Sequence, residues 1–588
     1  MKIKELKIHN WRSIADISMD FEKLMIFIGQ NNHGKSNILS AILFFFGEIS
    51  LCEKDYRKGS KELWVEIEFD ELDDHDKSQF RKYLTHENTI KVRKVANTED
   101  GFSYHGYKET PKEKLLREEI CIKYTSREKA KKLPFFSLLP QEGRILQDDI
   151  RKALFEFLES KDDIEYEYIL EETKFLGYNN IAQGIFGNIL FIPSLKDTLD
   201  ELNLKGSSVF NKILSVAIQE MSENNPVYKE AKGKMLTLTQ TLNKNLDDGT
   251  KNKSRPKELA NLEDRLEKEL STWNTKIDIE ITPPDINEIF KLGTEVIVDD
   301  GVKTGIEYKG HGLQRSLLFA LIKSWSEISQ EIEQQKGTKE TGRRTSSSSF
   351  IIIEEPELYL HPQAQREFFS SLKQLSEKNH QVIITTHSSF FLDLSLYKSI
   401  CIVRKNGRTS PTEIFQCRED LFKELNDKKT FNLIYWINPE RGEIFFSEKT
   451  ILVEGQTEKT IIPYIADKLG IFKHGYSLID CGSKESIPIY EYLLNKFNIE
   501  YVVVYDKDHQ SSKTKEQITL SDQKSKQIED SINPTLGKSV VLENDIEEEI
   551  GLSKNGSKYK AFKALKKINE KGFSIPKKFE AKIKEIYS

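Results

Sequence analysis

One eight-residue stretch constrains the fold of this chain more than any other. Residues 29–36, Gly-Gln-Asn-Asn-His-Gly-Lys-Ser, fit the pattern GxxxxGK[ST] in full. They follow the apolar run 24–28 and open the mostly apolar stretch 35–46, so a strand, a loop and a helix are predicted. Such a loop wraps nucleotide phosphates, with Lys35 neutralising charge and Ser36 ligating Mg²⁺ at a helix N-terminus. The predicted ATP-binding residues of this loop are Gly29, Asn32, Gly34, Lys35, Ser36 and Asn37.

A phosphate loop needs an acidic partner at the end of another strand, and residues 350–356 supply one. Four apolar residues precede Glu354 and Glu355, which places both carboxylates at a strand terminus. We assign Glu354 to the Mg²⁺ ion and Glu355 to the attacking water. The alternative is an exposed acidic turn.

Two further stretches are weaker signals. His387 ends the apolar run 382–386 and can contact a γ-phosphate, although a strand-end histidine alone is more often only hydrogen-bonded. Gly312 and Gln314 lie in a glycine-containing stretch before an apolar helix, where they can bind phosphate from a facing subunit.

A second group of acids lies in the C-terminal part. Glu454 ends an apolar strand, Glu458 follows one helical turn later, and Asp506 and Asp508 end the strand 501–505. A third acidic set follows a short apolar stretch, comprising Glu543, Asp545 and Glu547. Carboxylates are the ligands that hard divalent cations prefer, so a Mg²⁺ or Mn²⁺ site is predicted, with room for two ions.

Composition and charge exclude several classes of protein. The 588 residues carry a net charge of −6, which excludes a uniformly basic nucleic-acid coat. From Lys554 to the end there are eleven lysines against three glutamates, a segment that either binds DNA or is a solvated tail. The five scattered cysteines argue against disulfides and a zinc ribbon. The sequence shows neither a signal peptide nor a membrane span, so a cytoplasmic protein is expected.

The N-terminal motifs together resemble a known family. The phosphate loop, the stretch 310–316, the run Ile352 to Pro362 and Thr-Thr-His at 385–387 stand in the order of the ATP-binding-cassette (ABC) ATPases of the chromosome-maintenance and RecF-like type. The resemblance implies that two heads sandwich ATP, with Gly312 and Gln314 acting in trans on ATP held by Lys35. Glu354 stands where the family usually has Asp, and the signature lacks its usual leading Ser-Gly-Gly order.

The C-terminal acids resemble those of a Toprim domain, in which Glu-Gly ends one strand and Asp-x-Asp ends another. Lys560 begins Lys-Ala-Phe-Lys-Ala and resembles the catalytic lysine of related Toprim nucleases, with Lys558 as the alternative. The resemblance implies that Glu454, Asp506, Asp508 and Lys560 are catalytic, in addition to Glu355 of the head. The metal ligands would be Ser36 and Glu354 in the head, and Glu454, Glu458, Asp506, Asp508, Glu543, Asp545 and Glu547 in the Toprim part.

A RecF-like ATPase followed by a Toprim unit is similar to the OLD (overcoming lysogenization defect) nucleases. That resemblance implies an ATP-regulated, metal-dependent DNA endonuclease of anti-phage defence. It would act as a dimer or tetramer, with a helicase subunit or a retron reverse transcriptase and its multicopy DNA as partner. Three alternatives stay open: a DNA-repair or DNA-structural ATPase with a non-cleaving Toprim domain, a topoisomerase or primase, and an ATPase that never touches DNA.

The predicted fold class is α/β, with an ABC-type head, a helical dimerisation insert and a Rossmann-like Toprim domain. The head is split into residues 1–195 and 286–440, around an insert at 196–285. The Toprim domain with its lysine-rich tail spans 441–588, and within it residues 509–530 are predicted to be a polar loop.

Overall fold

The structure is a computed structural model of the 588-residue chain. It describes these residues: 1–99, 101–140, 142–161, 164–171, 173–177, 185–194, 208, 210–211, 214, 218, 225–245, 250–270, 275–282, 294–336, 348–378, 380–423, 425–437, 441–510, 513–552 and 559–588. The chain divides into two compact units, one of residues 1–191 with 341–588 and one of residues 192–340. Among the described helices, none combines the length and apolar character that a membrane span requires.

The first unit begins with an antiparallel sheet in the order β2-β1-β4-β5-β6-β7. Its strands are β1 (Lys2–His9), β2 (Asp16–Asp20), β4 (Glu62–Asp70), β5 (Ile90–Asn97), β6 (Gly101–Pro111) and β7 (Tyr166–Leu170). Alternate residues of β5 are buried, because one face of this sheet covers the core and the other faces solvent. Between β6 and β7 a helical insertion with its own small core holds α3 (Glu118–Cys121), α4 (Arg127–Ala130) and α5 (Gln147–Glu159).

The second sheet of this unit is mostly parallel, in the order β14-β13-β3-β12-β11-β8. Its strands are β3 (Leu24–Ile28), β8 (Asn188–Ile192), β11 (Ser349–Glu354), β12 (His380–Thr386), β13 (Ile400–Arg404) and β14 (Glu413–Gln416). All five residues of β3 are buried, as expected for a strand covered on both faces. The remaining helices of the head are α1 (Lys35–Phe46), α2 (Asp74–Gln79), α9 (Pro362–Glu377) and α10 (Asp427–Trp436).

Helix α1 packs between the two sheets and is fixed at its C-terminal end. Its residues from Ile38 to Phe46 are all buried in one core with β1, β3, β4 and β5. The buried Lys94 amine donates to the carbonyl of Phe44, and the Tyr104 hydroxyl donates to that of Phe45. A cation at this end complements the helix dipole. The phosphate loop is therefore attached to a rigid helix.

The second unit, residues 192–340, is described on its own. It contains α6 (Pro226–Leu242), α7 (Lys257–Glu269), β9 (Ile297–Asp299), β10 (Lys303–Gly305) and α8 (His311–Lys336). The turn at 252–256 joins α6 to α7, with the Asn252 amide donating to three carbonyls at the end of α6 and just beyond it. Arg255 makes a two-pronged ion pair with Glu263, at 2.6 and 2.7 Å, which ties the turn to α7.

The C-terminal part of the first unit holds a four-stranded parallel sheet in the order β16-β15-β17-β18. Its strands are β15 (Lys449–Val453), β16 (Tyr476–Asp480), β17 (Tyr501–Asp506) and β18 (Gly537–Leu542). Its helices are α11 (Gln456–Lys468), α12 (Ile487–Lys496), α13 (Lys515–Ser531), α14 (Ile546–Glu549), α15 (Lys560–Ile568) and α16 (Lys577–Ile586). Apolar residues of β15, β17, α11, α15 and α16 form its core.

The predicted polar loop at 509–530 was wrong, because most of it is helix α13. Thr514 and Gln517 form a capping box, with Thr514 N donating to Gln517 Oε1 at 3.0 Å. Only Ser521 and Ile528 of this helix are buried, so its sequence lacks the apolar periodicity that reveals most helices. A cap and good helix-forming residues are enough here.

Candidate functional site

The phosphate loop has the predicted strand, loop and helix on either side of it. Lys35 begins α1 and is 6% exposed, and its amine donates to the carbonyls of Gly29 at 2.8 Å and Gln30 at 3.1 Å. Burial lowers the pKa of Lys35 to about 8, although the glutamates beyond β11 act in the opposite direction. The amine is thus held inside the loop.

Glycine is required at two positions of this loop. Gly29 has φ 147° and Gly34 has φ 110°, both in the region that side chains rarely adopt. A β-carbon on Gly29 would run into the Val403 carbonyl, and one on Gly34 into the Thr412 side chain. The loop therefore packs closely against the β13–β14 hairpin.

Asn32 and Asn37 have different surroundings. Asn32 lies at the exposed tip of the loop with φ 64°. Asn37 lies in α1, where its amide donates to Ser13 Oγ at 2.7 Å. Arg12 reaches the same place, with NH1 at 3.4 Å from Asn37 Oδ1. The stretch Asn10 to Ile14 thus borders the phosphate loop.

The acids that end β11 lie beside the phosphate loop. Ser36 Oγ donates to Glu354 Oε1, so the two predicted Mg²⁺ ligands are in contact. Glu355 follows with φ 48°, and its carboxylate lies 3.6 Å from His387 Nε2. Burial and the charge of Lys35 lower the pKa of His387 to about 4, so its ring is neutral at pH 7. The structure brings Lys35, Ser36, Glu354, Glu355 and His387 together.

Glu357 was given no role from the sequence, although it holds this arrangement. Its carboxylate accepts from Thr386 Oγ1 at 2.8 Å and from the His387 backbone N–H at 2.6 Å. Burial raises the pKa of Glu357. It connects the acidic strand end to the histidine, and its position in the Glu-Glu-Pro-Glu run was the only available signal.

The predicted signature residues lie in the second unit, at the start of α8. The Gln314 side chain is 1% exposed, and its amide donates to the carbonyls of Ile306 at 3.0 Å and Lys309 at 2.9 Å. Gly312 lies in the first turn, and its carbonyl accepts from Ser316 Oγ at 2.9 Å. Gln314 therefore fixes the loop that leads into the helix.

The second acidic group lies at the carboxyl edge of the Toprim sheet. Strands β15 and β17 are parallel neighbours, so Glu454 and Asp506 meet at the same edge. The Asp506 backbone N–H donates to Glu454 Oε1 at 2.8 Å. One carboxylate oxygen of Asp506, Oδ1, is buried and accepts no hydrogen bond from the described residues. An orphaned buried carboxylate oxygen is costly unless a cation or proton joins it.

The pKa values of these acids show how crowded the edge is. Burial raises the pKa of Glu454 to about 7, and burial followed by the charges of Glu454, Glu458 and Asp508 raises that of Asp506 to about 9. The pKa of Glu458, whose carboxylate accepts from Gly455 N at 3.0 Å, is also raised by burial. Strong shifts at a strand edge are typical of functional sites.

The remaining predicted ligands differ in position. Asp545 is 4% exposed, caps α14 and accepts from Gln510 Nε2 at 3.0 Å, and Glu547 is 8% exposed. Asp508 pairs with Lys513 at 2.6 Å. Glu543 is exposed, with 77% of its side chain accessible. Of the third acidic set, Asp545 and Glu547 thus point inward and Glu543 does not.

Lysines line the same edge. Lys560 lies 3.3 Å from Glu547 Oε1 at the start of α15, whereas Lys558 lies outside the described residues. Lys484 was missed from the sequence. Its buried amine donates to the Asp506 carbonyl and to Ser521 Oγ at 3.0 Å, and burial lowers the pKa of Lys484. Its only sequence signal was a polar residue just after a strand end.

In the described part of the chain, the only group of three metal-ligating side chains within 4.8 Å of one another is Asp73, His75 and Asp76. It belongs to the six-residue helix α2 and its cap, and Asp76 pairs with the N-terminal amine at 3.2 Å. No three of the described acids at the carboxyl edge of the C-terminal sheet approach one another so closely.

Comparisons with known proteins agree with this arrangement. The family described as AAA ATPase domain matches residues 1–392, and the family described as overcoming lysogenization defect protein-like, TOPRIM domain, matches residues 445–508. The chain belongs to the AAA ATPase domain family and carries an OLD-like Toprim domain. The predicted α/β fold class and the resemblance to OLD proteins are confirmed.

Three relatives extend this result. The Old nuclease of Escherichia phage P2 is 26% identical over 480 residues, which are 80% of this chain and 70% of that one. The OLD nuclease of Thermus scotoductus is 28% identical over 34% of this chain and 35% of its own length. Endonuclease GajA of Bacillus cereus is 28% identical over 28% of this chain and 26% of its own. The names of these relatives, together with the two domain families that match this chain, confirm the prediction of a nuclease enzyme with an ATPase domain.

Proposed function

We propose that this OLD-type protein is an ATP-regulated, Mg²⁺- or Mn²⁺-dependent DNA endonuclease. The observation that carries the proposal is the pair Glu454 and Asp506, two half-buried carboxylates with raised pKa values at neighbouring strand ends, in contact through the Asp506 backbone N–H. They lie inside the region that matches the OLD-like Toprim family. Such a pair is costly to bury as anions, and divalent cations offset that cost.

The residues at this edge fit a metal site. All the inward-facing ligands are carboxylates, which suit Mg²⁺ and Mn²⁺, and Asp506 Oδ1 is free to accept a cation. Glu454, Asp506 and Asp508 would hold one ion. The charge of Glu547 acts on Glu458, and the charges of Glu458 and Asp545 act on Asp506, so these three acids would contribute to a second ion. Two such ions supply an activated water and stabilise the leaving oxygen of a phosphodiester.

The chain's own residues supply orientation and charge. Lys560, which is half-exposed beside Glu547, would neutralise charge that develops on the phosphate oxygens. Lys484 holds the Asp506 carbonyl and so fixes where the carboxylate of that residue points. Asp545 is oriented by Gln510 and by its role as a helix cap. The edge is thus preorganised by contacts among its neighbours.

The ATPase head would bind ATP with Mg²⁺. Lys35 and the backbone of the loop would hold the phosphates, Ser36 and Glu354 the ion, and Glu355 with neutral His387 the attacking water. Gly312 and Gln314 would complete the site of a second head. ATP binding would then set the spacing of the Toprim domains.

A homo-oligomer, dimer or tetramer, follows from that sandwich. Helix α7 supports it, because Leu262, Leu266 and Leu270 at its end form an exposed apolar stripe at helical spacing. Exposed stripes of this kind commonly bury themselves against a second copy. The insert would therefore be a dimerisation element. The proposed domain boundaries are those drawn from the sequence.

The biological role would be anti-phage defence in the cytoplasm, as an effector that works with a helicase subunit or a retron reverse transcriptase and its multicopy DNA. The resemblance to the OLD nucleases is the support for the defence role. Affinity purification from cells identifies which partner it has. Absence of any co-purifying nucleic acid or protein would argue for a stand-alone enzyme.

The test is cleavage of supercoiled and linear DNA with Mg²⁺ or Mn²⁺, with and without ATP. Asp506→Ala should reduce the rate of cleavage at least about 100-fold, because it removes the central metal ligand. Asp530→Ala, an exposed acid on α13, is the matched control and should cleave as wild type does. Lys35→Ala should keep cleavage and lose its response to ATP.

Two results would contradict the proposal. Cleavage that survives Asp506→Ala would place the active site elsewhere. A wild type that binds DNA without nicking it under any metal condition would favour the alternative, a DNA-repair or DNA-structural ATPase with a non-cleaving Toprim domain.

A further inference from the structure

One face of helix α15 carries exposed aromatic and basic side chains that no role described so far explains. Tyr559 is 77% exposed and Phe562 is 67% exposed, among the most exposed large apolar side chains in the described chain. Lys563 and Lys566 are also exposed. Positions 562, 563 and 566 follow helical spacing and share one face of α15, and Tyr559 is the exposed residue immediately before the helix. We call these four residues the aromatic–basic stripe.

The stripe is held on a fixed support. The opposite face of α15 buries Ala564 and Ile568 in the Toprim core, against α11. The Asn569 side chain, just beyond the helix, accepts from the Tyr464 hydroxyl at 2.6 Å. Because α15 is anchored on that side, the rings on the other side point to solvent permanently. Exposing two rings costs solubility, so a ligand for them is expected.

The backbone at the start of the stripe is unusual. Tyr559 caps α15 with φ 62°, a left-handed conformation that residues with a β-carbon rarely adopt. Strained positions of this kind persist near functional sites. Here the conformation sets Tyr559 immediately before Lys560, whose amine lies 3.3 Å from Glu547 at the metal edge. The stripe therefore begins beside the reacting phosphate of the proposed nuclease.

The charge of the surroundings favours a polyanion. Residues 559–588 contain nine lysines and three glutamates. Several of these lysines are paired, Lys567 with Glu570 at 2.8 Å and Lys584 with Glu580 at 2.7 Å. Lys566 makes no ion pair within the described residues. Exposed aromatic rings interleaved with exposed lysines are the pattern of surfaces that bind single strands.

We propose that the aromatic–basic stripe binds unpaired nucleotides next to the cleaved phosphodiester, so that the enzyme prefers single-stranded or locally unpaired DNA. Phe562 and Tyr559 would stack on exposed bases while Lys563 and Lys566 contact phosphates. In a duplex the faces of the bases are covered by their neighbours, so two outward rings gain contacts only where bases are unpaired. The inference rests on the proposed nuclease function and specifies its substrate.

The dimensions agree with this path. Phe562 lies about one turn after Tyr559, and a helix with side chains is about 10 Å wide. Nucleotides of one strand are spaced by about 3.4 Å when stacked. A strand that passes Lys560 would therefore reach Phe562 within roughly three nucleotides. The stripe would read the structure of the DNA immediately beside the cut and not its sequence.

The experiment compares binding of a 2-aminopurine-labelled single strand with binding of the same sequence as a duplex, with Ca²⁺ in place of Mg²⁺. Phe562→Ala should weaken single-strand binding about 10-fold, the loss of one stacked base, and change duplex binding less than 2-fold. Phe562→Trp should keep wild-type binding and quenching of 2-aminopurine. Phe562→Leu should bind as weakly as Phe562→Ala. Tyr435→Ala, which removes another exposed aromatic side chain, is the matched control.

A second variant separates stacking from charge. Lys566→Ala should weaken binding of both DNA forms and reduce the slope of log Kd against log salt by about 0.7 for the single strand. Thermal melting should match wild type for every variant, because all these side chains are exposed. Cleavage of a gapped or flapped duplex should occur in the unpaired part, and Phe562→Ala should remove that preference.

Two outcomes would overturn the inference. If wild type cleaves DNA and Phe562→Ala binds both forms with the wild-type Kd, the stripe has no role in DNA binding. If Phe562→Ala changes the oligomeric mass and leaves DNA binding intact, a second copy covers the stripe instead. Failure of the proposed function looks different, since wild type itself would then not cleave DNA under any metal condition, whether or not it binds DNA.

Discussion

The head and the Toprim domain place carboxylates in the same topological position and treat them differently. In both, acids lie at the carboxyl end of parallel strands, where ligands of α/β sheets bind: at the end of β11 in the head, and at the ends of β15 and β17 in the Toprim domain. In the head, Glu354 accepts from Ser36, and Glu355 lies near His387 in a half-exposed setting. In the Toprim domain, Asp506 is enclosed and one of its oxygens has no partner. The head pairs its acids with neighbouring side chains, whereas the Toprim edge would need the ions that the proposed function assigns to it.

The largest expected effect tests the difference between the two acidic sites directly. Asp506→Asn should abolish cleavage and, in EDTA, raise Tm by about 3 °C at pH 8, because it removes an acid that is costly to bury as an anion. Glu354→Gln should abolish ATP turnover with no such gain in Tm. Mg²⁺ should raise the Tm of wild type but not that of Asp506→Asn. Equal Tm gains for both variants would contradict the contrast, because the acids of the two sites would then lower the stability of the fold equally.

The second effect concerns Glu491, a fully buried glutamate of α12 whose two carboxylate oxygens have no hydrogen-bond partner. Burial, followed by the charge of Glu529, raises the pKa of Glu491 to about 9. The folded state therefore holds a proton that the unfolded chain releases above pH 4.5, so stability falls as pH rises towards 9. Glu491→Met should raise Tm by about 2 °C at pH 8 and by less at pH 5.

The control for Glu491 is Glu485→Met, which changes an exposed glutamate just before the same helix and should leave Tm unchanged at both pH values. Cleavage should be unaffected by either variant. A Tm gain for Glu491→Met that is the same at pH 5 and pH 8 would show that packing, and not the buried carboxyl, is responsible. Thermal melting in EDTA at the two pH values measures this.

The smallest effect concerns the contact between the two sites. Gln30 of the phosphate loop donates to Glu448 at 3.4 Å, just before β15. Both residues line a cleft of about 340 Å³ together with Arg404 and Tyr476. Glu448→Ala should leave basal cleavage and ATP binding intact and reduce the effect of ATP on cleavage about 2-fold, since it removes one weak contact. An unchanged ATP response would exclude this route, and Glu443→Ala is the control.

Much of this arrangement was predictable because short sequence patterns dictate it. The GxxxxGKS loop, the apolar runs before Glu354 and Glu454, and the Asp-x-Asp spacing fix local structure on their own. Helix α13 was not predictable in the same way, since it buries only two side chains. Glu357 and Lys484 act through backbone groups far away in sequence, on His387 and Asp506. Only the folded chain reveals such contacts.

The strand order of the head also determines when the nucleotide site can arise during synthesis. Strand β3, which leads into the phosphate loop, lies between β12 and β13, and its Ile26 pairs with Ile384. A growing chain must therefore reach residue 404 before this strand has both neighbours, and long-range pairing of this kind is slow. The Toprim strands all lie between residues 449 and 542. A product cut short before β12 would carry the complete phosphate motif on a strand that lacks both of its neighbours in the parallel sheet.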